Sequence, residues 1–209
     1  MKMNYIFLLK YSNRRRVLDY TVNLLCDPEA LSGLDPEKTA HLCIDVQEYY
    51  FKGKGDEAEA VARTIAHIAP LFNEAGLNET LYVYHTCAGA HFFIVDPKKE
   101  EVFQKDHFSA FNRTNLDEHL KSRNVKNIVL SGGYISQCVA LTAKDALERE
   151  YRVFVMADAI FDPGEFQEMR LKDVFTNYSY KSERQVSFTT SGAILQKFYE
   201  FSPVIPRSL

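Results

Sequence analysis

The sequence is poor in cysteine, and none of its cysteines is paired in a short motif. Cys26, Cys43, Cys87 and Cys138 are scattered without a C-x-x-C step. That spacing fits no zinc module, and a chain of this length needs no disulfide framework to fold. An excess of charge of one sign is also missing: 25 basic against 28 acidic side chains leave a net −3. So weak a field argues against nucleic acid or an anionic membrane as partner. The basic run Arg14-Arg15-Arg16 is too short to be a binding tract and reads as a solvated helix end. Long apolar runs are lacking too. The opening MKMNYIFLLK holds an apolar stretch too short for a signal peptide or a spanning helix. There is no internal repeat and no low-complexity tract. The expectation from these absences is a cytoplasmic protein with free thiols.

What is present is the make-up of an ordinary globular chain: 209 residues, 46% hydrophobic and 25% charged. This suits one α/β domain with a full core, or one domain plus an arm. Residues 1–37 read as an N-terminal arm. Val17, Tyr20, Thr21, Leu24 and Leu25 fall at helical spacing, and two Asp-Pro steps at Pro28 and Pro36 with Gly33 make a loop into the main body. Residues 38–209 form the domain proper. Strand-like runs are expected at Leu42–Val46, Leu81–Tyr84, Glu101–Lys105, Asn127–Leu130, Arg152–Ala157 and Val186–Phe188. Helices are expected over Asp56–Leu77, Leu116–Ser122 and Ser136–Glu150, and around Ile194, Leu195 and Phe198. Pro70 should kink or shorten the first of these, and the strand from Asn127 should stop at Ser131-Gly132-Gly133. The alternation predicts a three-layer α/β/α sandwich with a mostly parallel, doubly wound sheet of five or six strands.

In such sheets ligands bind beyond the carboxyl ends of the strands. Asp45, His85, Lys105, Gly132-Gly133 and Asp158 lie at or near those ends. Cys138 follows a strand and a Gly-Gly break and opens a helix, with Ser136 as a candidate N-cap. A thiol in the first helical turn meets the positive end of the helix dipole, which favours thiolate. Taken alone it reads more readily as a small core residue. Asp45 interrupts an apolar run and needs a partner or a role if buried, or it caps a loop. Lys105 taken alone reads as a surface lysine.

Four short motifs then stand in order. They are Asp45-Val46-Gln47; Lys105-Asp106-His107-Phe108-Ser109-Ala110-Phe111 with Thr114 and Leu116; Gly132-Gly133-Tyr134-Ile135-Ser136-Gln137-Cys138-Val139 with Thr142 and Asp145-Ala146; and Asp158-Ala159 after the next strand. They resemble the D-x-Q, K-x-x-x-S-A-F, G-x-x-T-x-x-C-V and D-A segments of the isochorismatase-like cysteine hydrolases. That family includes nicotinamidases, carbamoyl-amide hydrolases and isochorismatase. The resemblance runs over roughly residues 39–200.

The resemblance implies a catalytic triad of Asp45, Lys105 and Cys138. It also implies a cis peptide between Gly133 and Tyr134, and an oxyanion hole from the N–H groups of Tyr134 and Cys138. Gln47, Tyr50, His85 and Phe111 are candidate pocket residues, although each also reads as structural. Two departures stand out. Ile135 replaces the family's threonine, which leaves open how the turn is held. The nicotinamidase D-x-H metal motif is absent from His85-Thr86-Cys87-Ala88-Gly89-Ala90-His91, so no metal and no cofactor is expected. The implied function is hydrolysis of a C–N bond in a small amide or carbamoyl amide through a thioester. The alternatives are an isochorismatase-type vinyl-ether hydrolase and a non-catalytic binding protein. The expected partner is a small-molecule substrate, with no nucleic acid and no membrane, and family habit suggests a homo-oligomer.

Overall fold

The computed structural model describes residues 31–162 and 186–201. The helix expected over residues 17–25 lies outside the described residues. Residues 31–37 lie against the body: Leu34 is fully buried, and the Pro36 carbonyl accepts from the Asn78 N–H at 2.9 Å.

Six strands form one parallel sheet: β1 (Thr39–Ile44), β2 (Glu79–His85), β3 (Val102–Lys105), β4 (Asn127–Gly133), β5 (Arg152–Phe161) and β6 (Ser187–Thr189). Their order across the sheet is β3-β2-β1-β4-β5-β6. The winding reverses between β1 and β4, so this is the doubly wound sheet expected from the alternation. The reversal opens a crevice at the carboxyl ends of those two strands.

The helices are α1 (Glu48–Phe51), α2 (Asp56–Glu74), α3 (Leu116–Ser122), α4 (Ala140–Glu148) and α5 (Ser191–Phe201). Every residue of β1 is buried, as both faces of a central parallel strand must be. Leu42 and Ile44 point into a core shared with Leu116 and Leu120 of α3 and Ala143 and Leu147 of α4. Cys43, on the other face, joins Ile65 and Phe72 of α2 and Ile194 and Phe198 of α5. Burying one large aliphatic or aromatic side chain contributes about 1.5–3 kcal/mol, so these two layers dominate the stability of the fold.

Three expectations are corrected. α2 is not ended by Pro70 but continues to Glu74; its amphipathic face, with Ile65, Ile68 and Phe72 all buried, outweighs the one lost hydrogen bond. β4 does not stop before Gly132-Gly133 but pairs through both, with Gly132 opposite Ile160 and Gly133 opposite Phe161 after a register shift. β5 is correspondingly longer, ending at Phe161 rather than Ala157. The segment from Ser136 does not begin as an α-helix. Ile135–Val139 form a π-helical turn, and α4 starts only at Ala140.

Candidate active site

Three chain ends converge at the crevice. Asp45 follows β1 directly, Lys105 is the last residue of β3, and Cys138 lies in the π turn after β4. Asp45 takes a left-handed backbone, φ 53, with its N–H donated to the Val83 carbonyl at 2.8 Å. Aspartate tolerates this region better than most residues, and such backbone strain clusters at functional sites. The lysine ammonium lies between the other two groups. Lys105 Nζ donates to Asp45 Oδ2 at 2.8 Å, to Cys138 Sγ at 3.5 Å and to the His107 carbonyl at 3.2 Å. Its three protons are thereby all engaged. Exposure is 0% for Asp45, 1% for Lys105 and 5% for Cys138, so the ion pair is removed from water and has only its own partners to offset its desolvation.

Burial pushes the Asp45 carboxyl above the ordinary carboxylate range, with the Lys105 ammonium offsetting part of the rise. Burial, and after it the Asp45 carboxylate, push the Cys138 thiol well above its usual value; Lys105 opposes them only in part. The thiol does not stand in the first turn of an α-helix, as expected, but in a π turn, where it is buried and faces a carboxylate as well as an ammonium; burial and the carboxylate disfavour the thiolate.

The remaining predicted residues separate into two groups. His85 and Tyr50 flank the site. His85 pairs in register with Lys105; burial, followed by the Lys105 charge, lowers its pKa. Its Nδ1 accepts from the Cys87 N–H at 3.3 Å. The Tyr50 ring meets Tyr134 edge-on at 4.8 Å, and its hydroxyl lies 3.3 Å from Cys87 Sγ. Gln47 and Phe111 belong elsewhere. Gln47 is fully buried and spends both ends of its amide on backbone. Oε1 accepts from His85 N–H at 2.8 Å, and Nε2 donates to the carbonyls of His85 and Gly89. It braces β1 to β2 and has no free donor for a substrate. Phe111 packs in the core, stacked on Tyr151 with Arg149 over its face. Those partners lie past the C-terminal end of α4, whereas Cys138 precedes its N-terminal end.

The turn that carries Cys138 differs from its expected form. The Gly133–Tyr134 peptide is trans. The chain reverses instead through positive φ at Gly132 (φ 118) and Tyr134 (φ 58). Ser136 is not an N-cap. Its N–H donates to Asp162 Oδ2 at 2.7 Å, a residue outside the motifs of the sequence. Asp158 instead accepts from the Ser191 N–H at 2.9 Å and from the Ser191 hydroxyl at 2.6 Å, tying β5 to the start of α5. Asp162 could have been found only by knowing that β5 continues to Phe161. Among the described residues no group of three or more His, Cys, Asp or Glu side chains is placed to hold a metal ion.

A family model described as an isochorismatase domain matches residues 39–182. The chain belongs to the isochorismatase family. Its relatives include the secreted isochorismatase effector Isc1 of Verticillium dahliae, 32% identical over 133 residues, covering 57% of this chain and 70% of that protein. Nicotinamidase 3 of Arabidopsis thaliana is 37% identical over 60 residues, covering 29% of this chain and only 30% of that protein. Among solved structures, the N-carbamoylsarcosine amidase of Thermoplasma acidophilum superposes with a TM-score of 0.61 at 25% identity, covering 74% of this chain and 96% of that one. A cysteine hydrolase from Pseudomonas syringae shares the fold at a TM-score of 0.62 and 18% identity, covering 79% of this chain and 94% of that one. The isochorismatase family is a family of hydrolases, and its matched region takes in β1 to β5 and all three converging residues.

Proposed function

We propose that this chain is a cysteine-dependent hydrolase that cleaves the C–N bond of a small amide or carbamoyl amide through a thioester on Cys138. The observation that carries this reading is the buried Lys105 ammonium, held at once by the Asp45 carboxylate and the Cys138 sulfur. Asp45 Oδ2 is occupied by Lys105, whereas Oδ1 is buried without a hydrogen-bond partner among the described residues. One oxygen is anchored and the other is open to a proton.

The steps follow from those positions. As Sγ attacks the carbonyl carbon, the thiol proton passes to Asp45, so a free buried thiolate never has to form. The carbonyl electron pair moves to oxygen, and the backbone N–H groups of Tyr134 and Cys138 receive the oxyanion. When the tetrahedral species collapses, the C–N bond breaks and Asp45 returns the proton to the leaving nitrogen. Water then gives a proton to Asp45 and attacks the thioester. Collapse of that second adduct frees the acid, and the departing sulfur recovers the proton. Lys105 stays charged throughout and offsets whichever neighbour carries the negative charge.

A small-molecule substrate suits the same site, since the reacting groups are buried at the carboxyl ends of the strands, where doubly wound sheets bind their ligands. Cytoplasmic residence is part of the proposal. It rests on three unpaired thiols, Cys43, Cys87 and Cys138, and on the absence, among the described residues, of any helix long and apolar enough to cross a membrane. An ammonia-release screen over small amides and carbamoyl compounds, with Cys138→Ala as the control, tests the activity. The alanine variant should keep the fold and lose at least on the order of 10⁴-fold in turnover. Equal turnover by both proteins would sink the proposal.

A further inference from the structure

The turn that carries Cys138 is held in place by contacts from three sides. Beneath it, Gly133 lies against Phe51, where an added Cβ would come within 2.8 Å of the ring. On its inner side, Ile135 is buried in the core formed with α3 and α4. Both contacts are apolar and non-directional; they fix where the turn lies but not how its N–H groups point. The Ile135 side chain, at the first position of the π turn, has no polar atom to do so; its carbonyl accepts from the Ala140 N–H. Inside the turn, the Gln137 and Val139 N–H groups both go to the Tyr134 carbonyl, at 3.0 and 3.2 Å. The Ser136 N–H leaves the turn and is donated to Asp162 at 2.7 Å.

We propose that Asp162 is a positioning residue for the nucleophile: by accepting the Ser136 N–H it sets the orientation of the turn two residues before Cys138. The inference rests on the triad reading above. Its basis is geometric. Asp162 is 5% exposed and directly follows Phe161, which pairs with Gly133. Its side chain is thus set by strand pairing rather than by a loose loop, and a hydrogen bond of this length is directional. The residue touches no reacting atom. It acts through the backbone, on the peptide groups that lead to Cys138 and that are proposed to receive the oxyanion.

Asp162→Asn keeps an acceptor for the Ser136 N–H, whereas Asp162→Ala and the near-isosteric Asp162→Leu remove it. The readout is alkylation of Cys138 by chloroacetamide, followed by peptide mass mapping, with the exposed Cys87 as an internal reference and thermal melting as the fold control. In the alanine and leucine variants, Cys138 alkylation should fall on the order of 10²-fold. Cys87 alkylation should stay unchanged, and Asp162→Asn should recover most of the Cys138 rate. A folded alanine or leucine variant alkylated at the parental rate overturns the proposal. So does an asparagine variant as slow as alanine, which would make charge rather than the hydrogen bond the cause. Failure of both acceptor-less variants to fold, beside a folded asparagine variant, would also overturn it, because Asp162 would then serve folding alone. Amide turnover surviving in Cys138→Ala would instead defeat the triad reading, and the alkylation ratios would still report on the turn.

Discussion

At the scale of single residues the site is governed by burial rather than by ordinary side-chain acidity. Asp45 and Cys138 are both pushed up by desolvation, and Lys105 offsets only part of either shift. In the proposed mechanism Asp45 must be ionised to take the thiol proton. Its pKa is raised, so the base form is lost as pH falls through a value above the ordinary carboxylate value of about 4. The acid limb of kcat/KM should therefore lie above that value. The thiol, also raised, should stay neutral across the physiological range, so no limb should appear near the ordinary thiol value of about 8.5. A pH–rate profile on any amide found in the screen checks both limbs. Lys105→Met removes the partner of a fully buried carboxylate. It should lower stability by about 3–5 kcal/mol, measured by urea unfolding, and should abolish turnover as well. The residue types at positions 45, 105 and 138 were legible from motif order. Their protonation states were not, because they depend on exposures of 0–5% that no local pattern reveals.

At the scale of elements, the decisive contact lies between the end of β1 and the end of β4. Gly132 has φ 118, and a Cβ there would overlap the Ile44 carbonyl oxygen. Gly132→Ala should therefore force the two strands apart, costing more than about 3 kcal/mol and displacing the nucleophile turn; equilibrium denaturation together with Cys138 alkylation would show both effects. The glycine pair was visible in the sequence as a break. Its actual role, continuing the strand through a register shift to Phe161, was not. That extension depends on pairing with a strand about thirty residues later, and it brings Asp162 to Ser136. The same limit applies to Pro70, where a local rule for helix ends yielded to the burial of a whole helix face, and to Gln47, whose bracing role exists only once β1 and β2 lie side by side.

For the whole molecule, the sheet buries a histidine beneath α2. His41 on β1 bonds Ser131 through Nε2 at 2.8 Å and lies edge-on to Phe72 of α2 at 5.4 Å. Burial lowers its pKa from 6.5 to about 3. In the folded protein it is neutral where the unfolded chain would bind a proton. Its contribution to stability is thus complete above pH 6.5 and is lost as pH falls toward 3. Over that window the loss amounts to ~4 kcal/mol. His41→Gln should flatten the dependence of the urea midpoint on pH by a comparable amount. Asp45, with its raised pKa, pulls in the opposite direction in both proteins and so cancels from the comparison. Leu34→Ala should cost about 2–5 kcal/mol by thermal or urea unfolding, since Leu34 is fully buried in the α2 layer although it precedes the first strand.

The family, the doubly wound alternation and the three side chains of the proposed triad are legible from the sequence alone. These depend on residue type and on periodicity within one element, where each neighbour is a few positions away. Tertiary contacts, by contrast, disfavour the Cys138 thiolate, leave the Gly133–Tyr134 peptide trans, set Gln47 and Phe111 in the framework and bring Asp162 to the turn that carries Cys138. Each of these depends on which distant segments are brought into contact. Desolvation and strand register act between residues far apart in the chain, so they take effect only once the sheet has assembled.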